Sequence, residues 1–274
     1  MLSLAVKSNE TRGRNMGMPN ASEPRNSVTR WSDEQVAQQY QATVASTEWL
    51  LGYPFVFRSL NLDALQGGRL LDLGCGPGKI ADYVASHFGV HVVAADISPH
   101  MLDVARKYAN PLVEYHLLVD DRIPEVPDAS VDRAMCNFVL VCVPQPWQVL
   151  RLFREVHRLL KPGGKFTVLN ADHTRIGVRF ASFILGREGD RYKAGDRIPV
   201  HLEQPDGSWL DLIDVYCPTE TSVGLLREAG FSTVEQQAYV LADAEGVVDD
   251  SLLTGRDWTA ERTMAPFVHL TASK

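Results

Sequence analysis

The stretch that decides the fold is Leu70-Leu71-Asp72-Leu73-Gly74-Cys75-Gly76-Pro77-Gly78, an apolar run that ends in closely spaced glycines. The apolar run predicts a buried strand, and apolar positions from Ile80 to Phe88 recur at helical spacing, so a helix follows. Glycines at such a turn let the backbone bend sharply and let a ligand lie against bare main chain. The stretch therefore predicts a ligand-binding loop between a strand and a helix.

The spacing of the glycines separates the possible ligands. A dinucleotide site has the pattern G-x-G-x-x-G, which would require glycine at the position of Lys79. A P-loop requires Ser or Thr after Gly-Lys, and Lys79 is followed by Ile80. The chain reads G-x-G-x-G instead, so both a nicotinamide-dependent dehydrogenase and a P-loop protein are disfavoured.

Around this loop, strands and helices alternate, which predicts an α/β protein with a mostly parallel sheet. The predicted strands of the core are 69–73, 90–95, 113–119, 131–137 and 165–170, and the predicted helices are 80–88, 98–108 and 145–160. The pattern changes at 174–217, where 197–203 and 209–216 predict an antiparallel hairpin. A helix at 219–229 and closing strands at 231–241 and 265–273 complete the chain.

The glycine stretch resembles the first motif of the class I S-adenosylmethionine (SAM)-dependent methyltransferases, D-x-G-x-G-x-G, and later motifs match over residues 68–172. Residues 193–231 are similar to the bacterial small-molecule branch, including enzymes of secondary metabolism. The resemblance implies a Rossmann-like seven-stranded sheet, mostly parallel with the last strand antiparallel, and helices on both faces. It predicts a helical lid at 31–66 and a SAM-binding domain at 67–274, with a β-hairpin insert for the acceptor at about 174–217. Residues 1–30 are poor in apolar side chains, and this composition predicts a mobile tail.

The resemblance also implies a set of cofactor-binding residues. Asp72, Gly74 and Gly76 belong to the glycine motif. Asp96 ends the second predicted strand, where an acid accepts hydrogen bonds from ribose hydroxyls, and Ile97 would lie against adenine. Asp96 could instead cap the helix that begins at Ser98-Pro99.

Two further positions complete this set. In the loop after the third strand, either Asp120 or Asp121 would bond the adenine amino group, with Asp120 preferred. At the end of the fourth strand, Asn137 would meet the methionine part of SAM.

The acceptor side is predicted from three residues. Tyr40 matches a tyrosine that many relatives place over SAM, although a core aromatic on an amphipathic helix is the alternative. That helix is predicted to begin at Ser32, with Gln35 completing a capping box. Asp172 and His173 follow the fifth strand, and His173 is the candidate general base because its pKa lies near neutrality. A turn or surface histidine is the alternative for His173.

Composition limits the partners. The chain has 274 residues and a net charge of −7, which argues against nucleic acid as the main partner and favours a small-molecule acceptor.

The four cysteines show no C-x-x-C spacing, so free thiols in the cytoplasm are expected, and no apolar run is long enough to cross a membrane. No metal is expected. The N-terminal arm could cross to a second copy in a homo-oligomer.

The function predicted is methyl transfer from SAM to an O, N or C atom of a small organic acceptor, plausibly a natural-product intermediate. Two alternatives stay open at this point. One is a SAM-binding protein that uses the cofactor for a reaction other than methylation, and the other is a methyltransferase acting on RNA or protein.

Overall fold

The computed structural model describes residues 28, 29, 31, 34–254 and 256–274. The predicted tail at 1–30 therefore lies outside the described residues, apart from Val28 and Thr29. Ser32, the first residue of the predicted capping box, also lies outside them. The first described helix begins at Glu34.

The helices and strands follow the predicted alternation. The helices are α1 (Glu34–Gln41), α2 (Ser46–Leu51), α3 (Tyr53–Ser59), α4 (Lys79–Phe88), α5 (Pro99–Ala105), α6 (Pro146–Leu159) and α7 (Thr219–Glu228). The strands are β1 (Arg69–Leu73), β2 (His91–Asp96), β3 (Val113–Leu117), β4 (Val131–Asn137), β5 (Leu160–Ala171), β6 (Phe183–Leu185), β7 (Arg197–Glu203), β8 (Trp209–Val215), β9 (Thr233–Gln237) and β10 (Phe267–Ser273). Short 3-10 helices lie at Leu62–Ala64, Arg106–Tyr108, Leu140–Cys142, Leu241–Ala244 and Asp250–Leu253.

The main sheet has seven strands in the order β3-β2-β1-β4-β5-β10-β9. Neighbouring strands from β3 to β5 pair in parallel, whereas β10 pairs antiparallel with both β5 and β9. The predicted class I methyltransferase sheet, with its last strand antiparallel, is confirmed. Its strand order reverses at β1, and the glycine loop follows β1 at this point, where ligands bind in open α/β sheets.

Alternation along the strands decides which polar side chains share a face. Leu71 and Leu73 of β1 pack on one side of the sheet in a core that includes Phe153 of α6, whereas Leu70 belongs to the core on the other side. Side chains two residues apart point to the same face. Asp72 therefore lies on the Leu70 side, and β2 and β4 place Asp96 and Asn137 on that side by the same rule.

The predicted hairpin insert is part of a larger unit, which corrects the sequence interpretation. β7 and β8 pair as predicted, but β6 adds a third antiparallel strand to β7 and makes a three-stranded sheet. We call this unit the cap sheet. The strand β6 was missed because its run of Phe183, Ile184 and Leu185 is too short to show a period.

The fifth strand begins earlier than predicted. The predicted helix at 145–160 and strand at 165–170 leave Pro162-Gly163-Gly164 as a connecting turn, but α6 ends at Leu159 and β5 starts at Leu160. The N–H of Gly163 donates to the carbonyl of Lys274, and the N–H of Lys274 donates to Gly164. Because these bonds satisfy the backbone around the glycines, the segment continues as strand.

Candidate functional site

A cavity opens at the carboxyl ends of β1, β4 and β5, between the glycine loop, the N-terminal helices and the cap sheet. Most of the described residues that line it come from four parts of the chain. They are Gly74–Pro77 of the loop; Asn137 and Phe138 after β4; Tyr40, Glu48, Trp49 and Tyr53 of the helices; and Phe183, Leu212 and Asp214 of the cap sheet, among others. Asp72 also lines the cavity.

The glycine loop presents bare backbone to this cavity. Gly74 and Gly76 have φ values of 74° and 51°, in the left-handed region. A Cβ on Gly74 would lie 2.1 Å from Cγ2 of Val139, whereas a Cβ on Gly76 would meet no heavy atom within 4 Å. Gly74 is thus required for close packing, and the space over Gly76 is open for a ligand.

Asp96 fixes the conformation of the glycine loop through a hydrogen bond. Its Oδ2 accepts a hydrogen bond from the N–H of Gly76 at 2.8 Å, and its Oδ1 accepts one from the N–H of Ser98 at 2.8 Å. Burial raises the pKa of Asp96, and these N–H donors work against that rise. Ser98 also caps α5 through its side chain, which accepts from the N–H of Met101. The helix cap is therefore Ser98, and Asp96 remains available to a ligand beside the loop.

Two buried polar side chains at the cavity lack partners. Oδ2 of Asp72 and both polar atoms of the Asn137 side chain are buried and make no hydrogen bond within the described part of the chain. Burial, together with the Asp96 carboxylate, raises the pKa of Asp72 to about 7. Leaving such groups unsatisfied costs about 1–3 kcal/mol each, so their arrangement favours a polar ligand. A carboxyl, an amide and open backbone are suited to the charged amino-acid end of SAM.

The predicted adenine side is an open apolar surface. Ile97 is 68% exposed, and Leu117 and Val119 at the end of β3 are 40% and 50% exposed. Asp121 forms an ion pair with Arg151 at 3.2 Å, whereas the exposed Asp120 shows no side-chain partner among the described residues. The preference for Asp120 over Asp121 therefore stands as a prediction.

Tyr40 lies at the cavity, and its ring makes an edge contact with Trp31 at a centroid distance of 5.0 Å. Burial raises the pKa of its hydroxyl well above the ordinary value. Two hydrogen bonds hold described residues that precede α1. Ser98 Oγ donates to the carbonyl of Trp31 at 2.7 Å, and the N–H of Thr29 donates to the carbonyl of Ile213 at 3.0 Å. Trp31 is thus bonded near the end of β2, and Thr29 is bonded to the cap sheet.

Asp172 and His173 are not brought to the cavity, which Ala171 lines as the last residue of β5. His173 is buried, with Nδ1 at 2.7 Å from the carbonyl oxygen of Cys217 and its ring 5.0 Å from that of Tyr216. Burial lowers its pKa. Their placement corrects the expectation that residues after β5 face the pocket, and their catalytic roles remain predictions without geometric support.

The chain turns away after β5 because Asp172 organises a tight turn. Its Oδ1 accepts hydrogen bonds from the N–H of Thr174 at 2.9 Å and from the Thr174 hydroxyl at 2.7 Å. Its Oδ2 pairs with Arg175 at 3.3 Å. Local side-chain-to-backbone bonds of this kind stabilise turns, so the polar groups are used within the loop.

Sequence reasoning missed two acidic residues of the cavity, Glu48 and Asp214. Glu48 lies in α2, where Oε2 accepts a hydrogen bond from the hydroxyl of Ser182 at 2.7 Å. Asp214 lies in β8, two residues from Leu212, and both line the cavity. The sequence signal for Asp214 is its position two residues after Leu212, which puts the carboxyl on the same face of the strand as apolar side chains.

No helix among the described residues is long and apolar enough to cross a membrane. No group of three or more His, Cys, Asp or Glu side chains among them is arranged to hold a metal ion.

Comparison with known proteins identifies relatives of the chain. Residues 71–168 match a family model described as a methyltransferase domain. The chain is 34% identical over 211 residues to the N-demethylindolmycin N-methyltransferase of Streptomyces griseus, covering 75% of this chain and 89% of the relative.

Solved structures share the fold. The CcbJ methyltransferase from Streptomyces caelestis aligns with a TM-score of 0.58 and 18% identity, over 89% of this chain and 97% of that one. A SAM-dependent methyltransferase from Mesorhizobium loti aligns with a TM-score of 0.55 and 22% identity, over 83% of this chain and 98% of that one.

Proposed function

The chain belongs to the class I SAM-dependent methyltransferases, in their bacterial small-molecule branch, and we propose that the atom it methylates is a nitrogen. The enzyme moves a methyl group from SAM to a small organic acceptor. The finer assignment, nitrogen over oxygen or carbon, is supported by the cavity and by the name of the Streptomyces griseus relative, an N-methyltransferase. We take the acceptor to be a natural-product intermediate.

The residues around the glycine loop would hold SAM. Asp72 and Asn137 offer a buried carboxyl and amide without partners to its methionine part. Asp96 would accept hydrogen bonds from the ribose hydroxyls, because each carboxylate oxygen can accept more than the one N–H it now receives. Ile97 would lie against adenine, with Asp120 at its amino group.

When bound, SAM supplies an electrophilic methyl group on a positively charged sulfur. The chain's own contribution is to place the acceptor atom in line with that methyl group, at about 3–3.5 Å, and to keep water away. The aromatic side chains Tyr40, Tyr53 and Phe183 line the cavity and would provide these walls. Tyr40 would act here as a lid residue.

The observation that carries the choice of nitrogen is the charge of the cavity wall. Glu48 and Asp214 line it, and the only basic side chain among the described lining residues is the exposed Lys79 at the start of α4. Carboxyl groups attract a protonated amine and repel a phenolate or carboxylate acceptor. Such a wall therefore favours an acceptor nitrogen that arrives as a cation.

Other parts of the proposal follow from the whole chain. Its net charge of −7 favours a small acceptor over a nucleic acid. All four cysteines are free, which agrees with a cytoplasmic location. A homo-oligomer formed through the N-terminal arm remains part of the proposal.

Product analysis with a matched set of probes tests the assignment. The purified chain is incubated with SAM and with benzylamine, phenethylamine, tryptamine, N-demethylindolmycin, or the alcohols benzyl alcohol, 2-phenylethanol and tryptophol. We expect S-adenosylhomocysteine and an N-methyl product from at least one nitrogen compound. Methylation of the alcohols alone, or of none of the nitrogen compounds, would contradict the choice of nitrogen.

A further inference from the structure

Asp214 is the feature of the cavity that the cofactor does not explain. It lies in β8 of the cap sheet, lines the cavity and is 8% exposed. Its side chain makes no hydrogen bond and no ion pair with any residue that the structure describes. A carboxyl that is more than nine-tenths buried and lacks a partner reduces the stability of the fold.

The position of Asp214 on its strand sets it apart from the other acid of β8. Residues two apart share a face, so Asp214 lies on the side of Leu212, which also lines the cavity. Asp211 lies on the opposite face, where its Oδ1 is 2.7 Å from Nδ1 of His201. Asp211 is therefore a satisfied carboxyl, whereas Asp214 is open to the cavity.

Among the described residues, the ionisable groups near Asp214 supply no positive charge. Tyr40 of α1 and Cys142, in the 3-10 turn after β4, lie near enough for the Asp214 carboxyl to raise the pKa of each, after the larger effect of burial. The carboxyl of Glu48 in α2 also raises the pKa of Tyr40, so a second acid lies near this hydroxyl. This part of the cavity is acidic and aromatic, so its complement is an aromatic compound with a cationic nitrogen.

We propose that Asp214 binds the protonated nitrogen of an aromatic amine acceptor and removes one proton from it before methyl transfer, an inference that rests on the proposed function. The ammonium nitrogen donates to the Asp214 carboxylate, which takes the proton and leaves a neutral nitrogen with its lone pair. That nitrogen forms a bond to the methyl carbon while the carbon–sulfur bond breaks and its electron pair goes to sulfur. The product is an N-methylammonium ion, and Asp214 releases its proton to water before the next cycle.

The protonation behaviour of the site agrees with this role. Burial raises the pKa of the Asp214 carboxyl to about 7. A general base works best when its pKa lies near the working pH, because it is then both ionised and able to hold a proton. An approaching cation would favour the ionised form of Asp214.

The experiment compares Asp214→Asn with the wild type and with Asp211→Asn as the matched control. Binding of phenethylamine and of 2-phenylethanol is measured by calorimetry on the S-adenosylhomocysteine complex. We expect Asp214→Asn to weaken phenethylamine binding by about 30-fold or more, because one partner of a buried charge pair is lost. Binding of 2-phenylethanol and of S-adenosylhomocysteine should stay unchanged, as should all binding to Asp211→Asn.

Turnover gives the second readout. For the nitrogen probe that the wild type methylates, Asp214→Asn should lower kcat by about 100-fold or more, the contribution of a general base. Asp214→Glu, which keeps the carboxyl, should retain the preference for the amine over the alcohol. Thermal unfolding of each variant shows that it is folded.

The outcomes separate this inference from the proposed function. If the wild type prefers the amine but Asp214→Asn does so equally, with unchanged turnover, the role of Asp214 is wrong. If Asp214→Asn loses binding of the amine and the alcohol together, Asp214 has only a structural role. If the wild type shows no preference for the amine over the alcohol, the inference is also overturned. If the wild type forms no N-methyl product, the proposed function itself is overturned.

Discussion

The carboxylate of Asp96 accepts a hydrogen bond from the backbone N–H of Gly76 at 2.8 Å, so the end of β2 fixes the conformation of the loop after β1. The same side chain accepts a second bond from Ser98 at the start of α5. One residue thus links the glycine loop, the second strand and the following helix. Its remaining lone pairs point to a dual role, in shaping the loop and in binding ribose.

Removing this carboxylate should weaken cofactor binding. We expect Asp96→Ala to reduce the affinity for S-adenosylhomocysteine by about tenfold or more, because a hydrogen bond to a charged group contributes about 1.5–3 kcal/mol. Isothermal titration of the purified variant measures the effect. Unchanged affinity would show that the ribose lies elsewhere.

A nearby exposed acid provides the control. Asp103 lies on α5, where it pairs with Arg106 at 3.2 Å, and its side chain is 68% exposed. Exposed ion pairs of this kind contribute about 0–1 kcal/mol. Asp103→Ala should therefore bind S-adenosylhomocysteine like the wild type, and a parallel loss in both variants would indicate a general effect of charge.

The two glycines of the loop should respond differently to alanine. Gly76→Ala adds a methyl group to open space, so only the left-handed φ reduces stability, by about 1 kcal/mol. Gly74→Ala adds a clash with Val139 to the same strain, and should lower the free energy of unfolding by at least about 2 kcal/mol.

Ligand binding separates these variants further. The new methyl group of Gly76→Ala would occupy the space proposed for SAM, so this variant should stay folded and bind S-adenosylhomocysteine weakly. Urea unfolding and calorimetry measure the two quantities. Tight binding by Gly76→Ala would place the cofactor away from the loop.

Asp72 should make the stability of the ligand-free protein depend on pH. Its pKa is about 7 in the folded chain, against an ordinary value of about 3.9, so the folded state holds a proton that the unfolded chain has lost over that interval. The contribution of this proton is present below about pH 4 and is lost as the pH rises through about 7. The free energy of unfolding falls over this window by up to about 1.4 kcal/mol per pH unit.

Asp72→Asn removes this titration. Urea unfolding at pH 5 and pH 8 should show a smaller decrease for the variant than for the wild type, so that its relative stability is greatest at pH 8. S-adenosylhomocysteine should bind it more weakly, because the carboxylate is replaced. An equal decrease in both proteins would show that Asp72 keeps an ordinary pKa.

The fold could be predicted from sequence where local patterns are strong. β4 was predicted residue for residue, because its apolar positions, Val131 and Ala134–Cys136, lie between polar turn segments. The glycine loop and Asp96 were found together, because each follows a buried strand and the topology brings strand ends to one edge. The start of β5 was missed because its glycines are stabilised by Lys274, a contact distant in sequence.

The acceptor side of the site could not be derived in the same way. Asp214 and Tyr40 both line the cavity, although they belong to the cap sheet and to α1, and their proximity depends on how these units pack. Nothing in the local sequence encodes that packing. The rule that polar residues after a strand face the ligand failed for His173, because the Asp172 turn redirects the chain.

His173 therefore gives a prediction that separates structure from catalysis. Its ring is buried, and its Nδ1 lies 2.7 Å from the carbonyl oxygen of Cys217, so His173→Ala removes a buried hydrogen bond and leaves a cavity beside Tyr216. We expect the free energy of unfolding to fall by about 2–4 kcal/mol, the range for truncating a large buried side chain. Below the unfolding temperature, kcat for the methylated nitrogen probe should stay within about threefold of the wild type, less than the 10²-fold or greater effect of losing a general base. Thermal unfolding and initial rates on the same preparation measure both quantities, and a large loss of kcat at unchanged stability would restore His173 as the base and remove the need for Asp214 in that role.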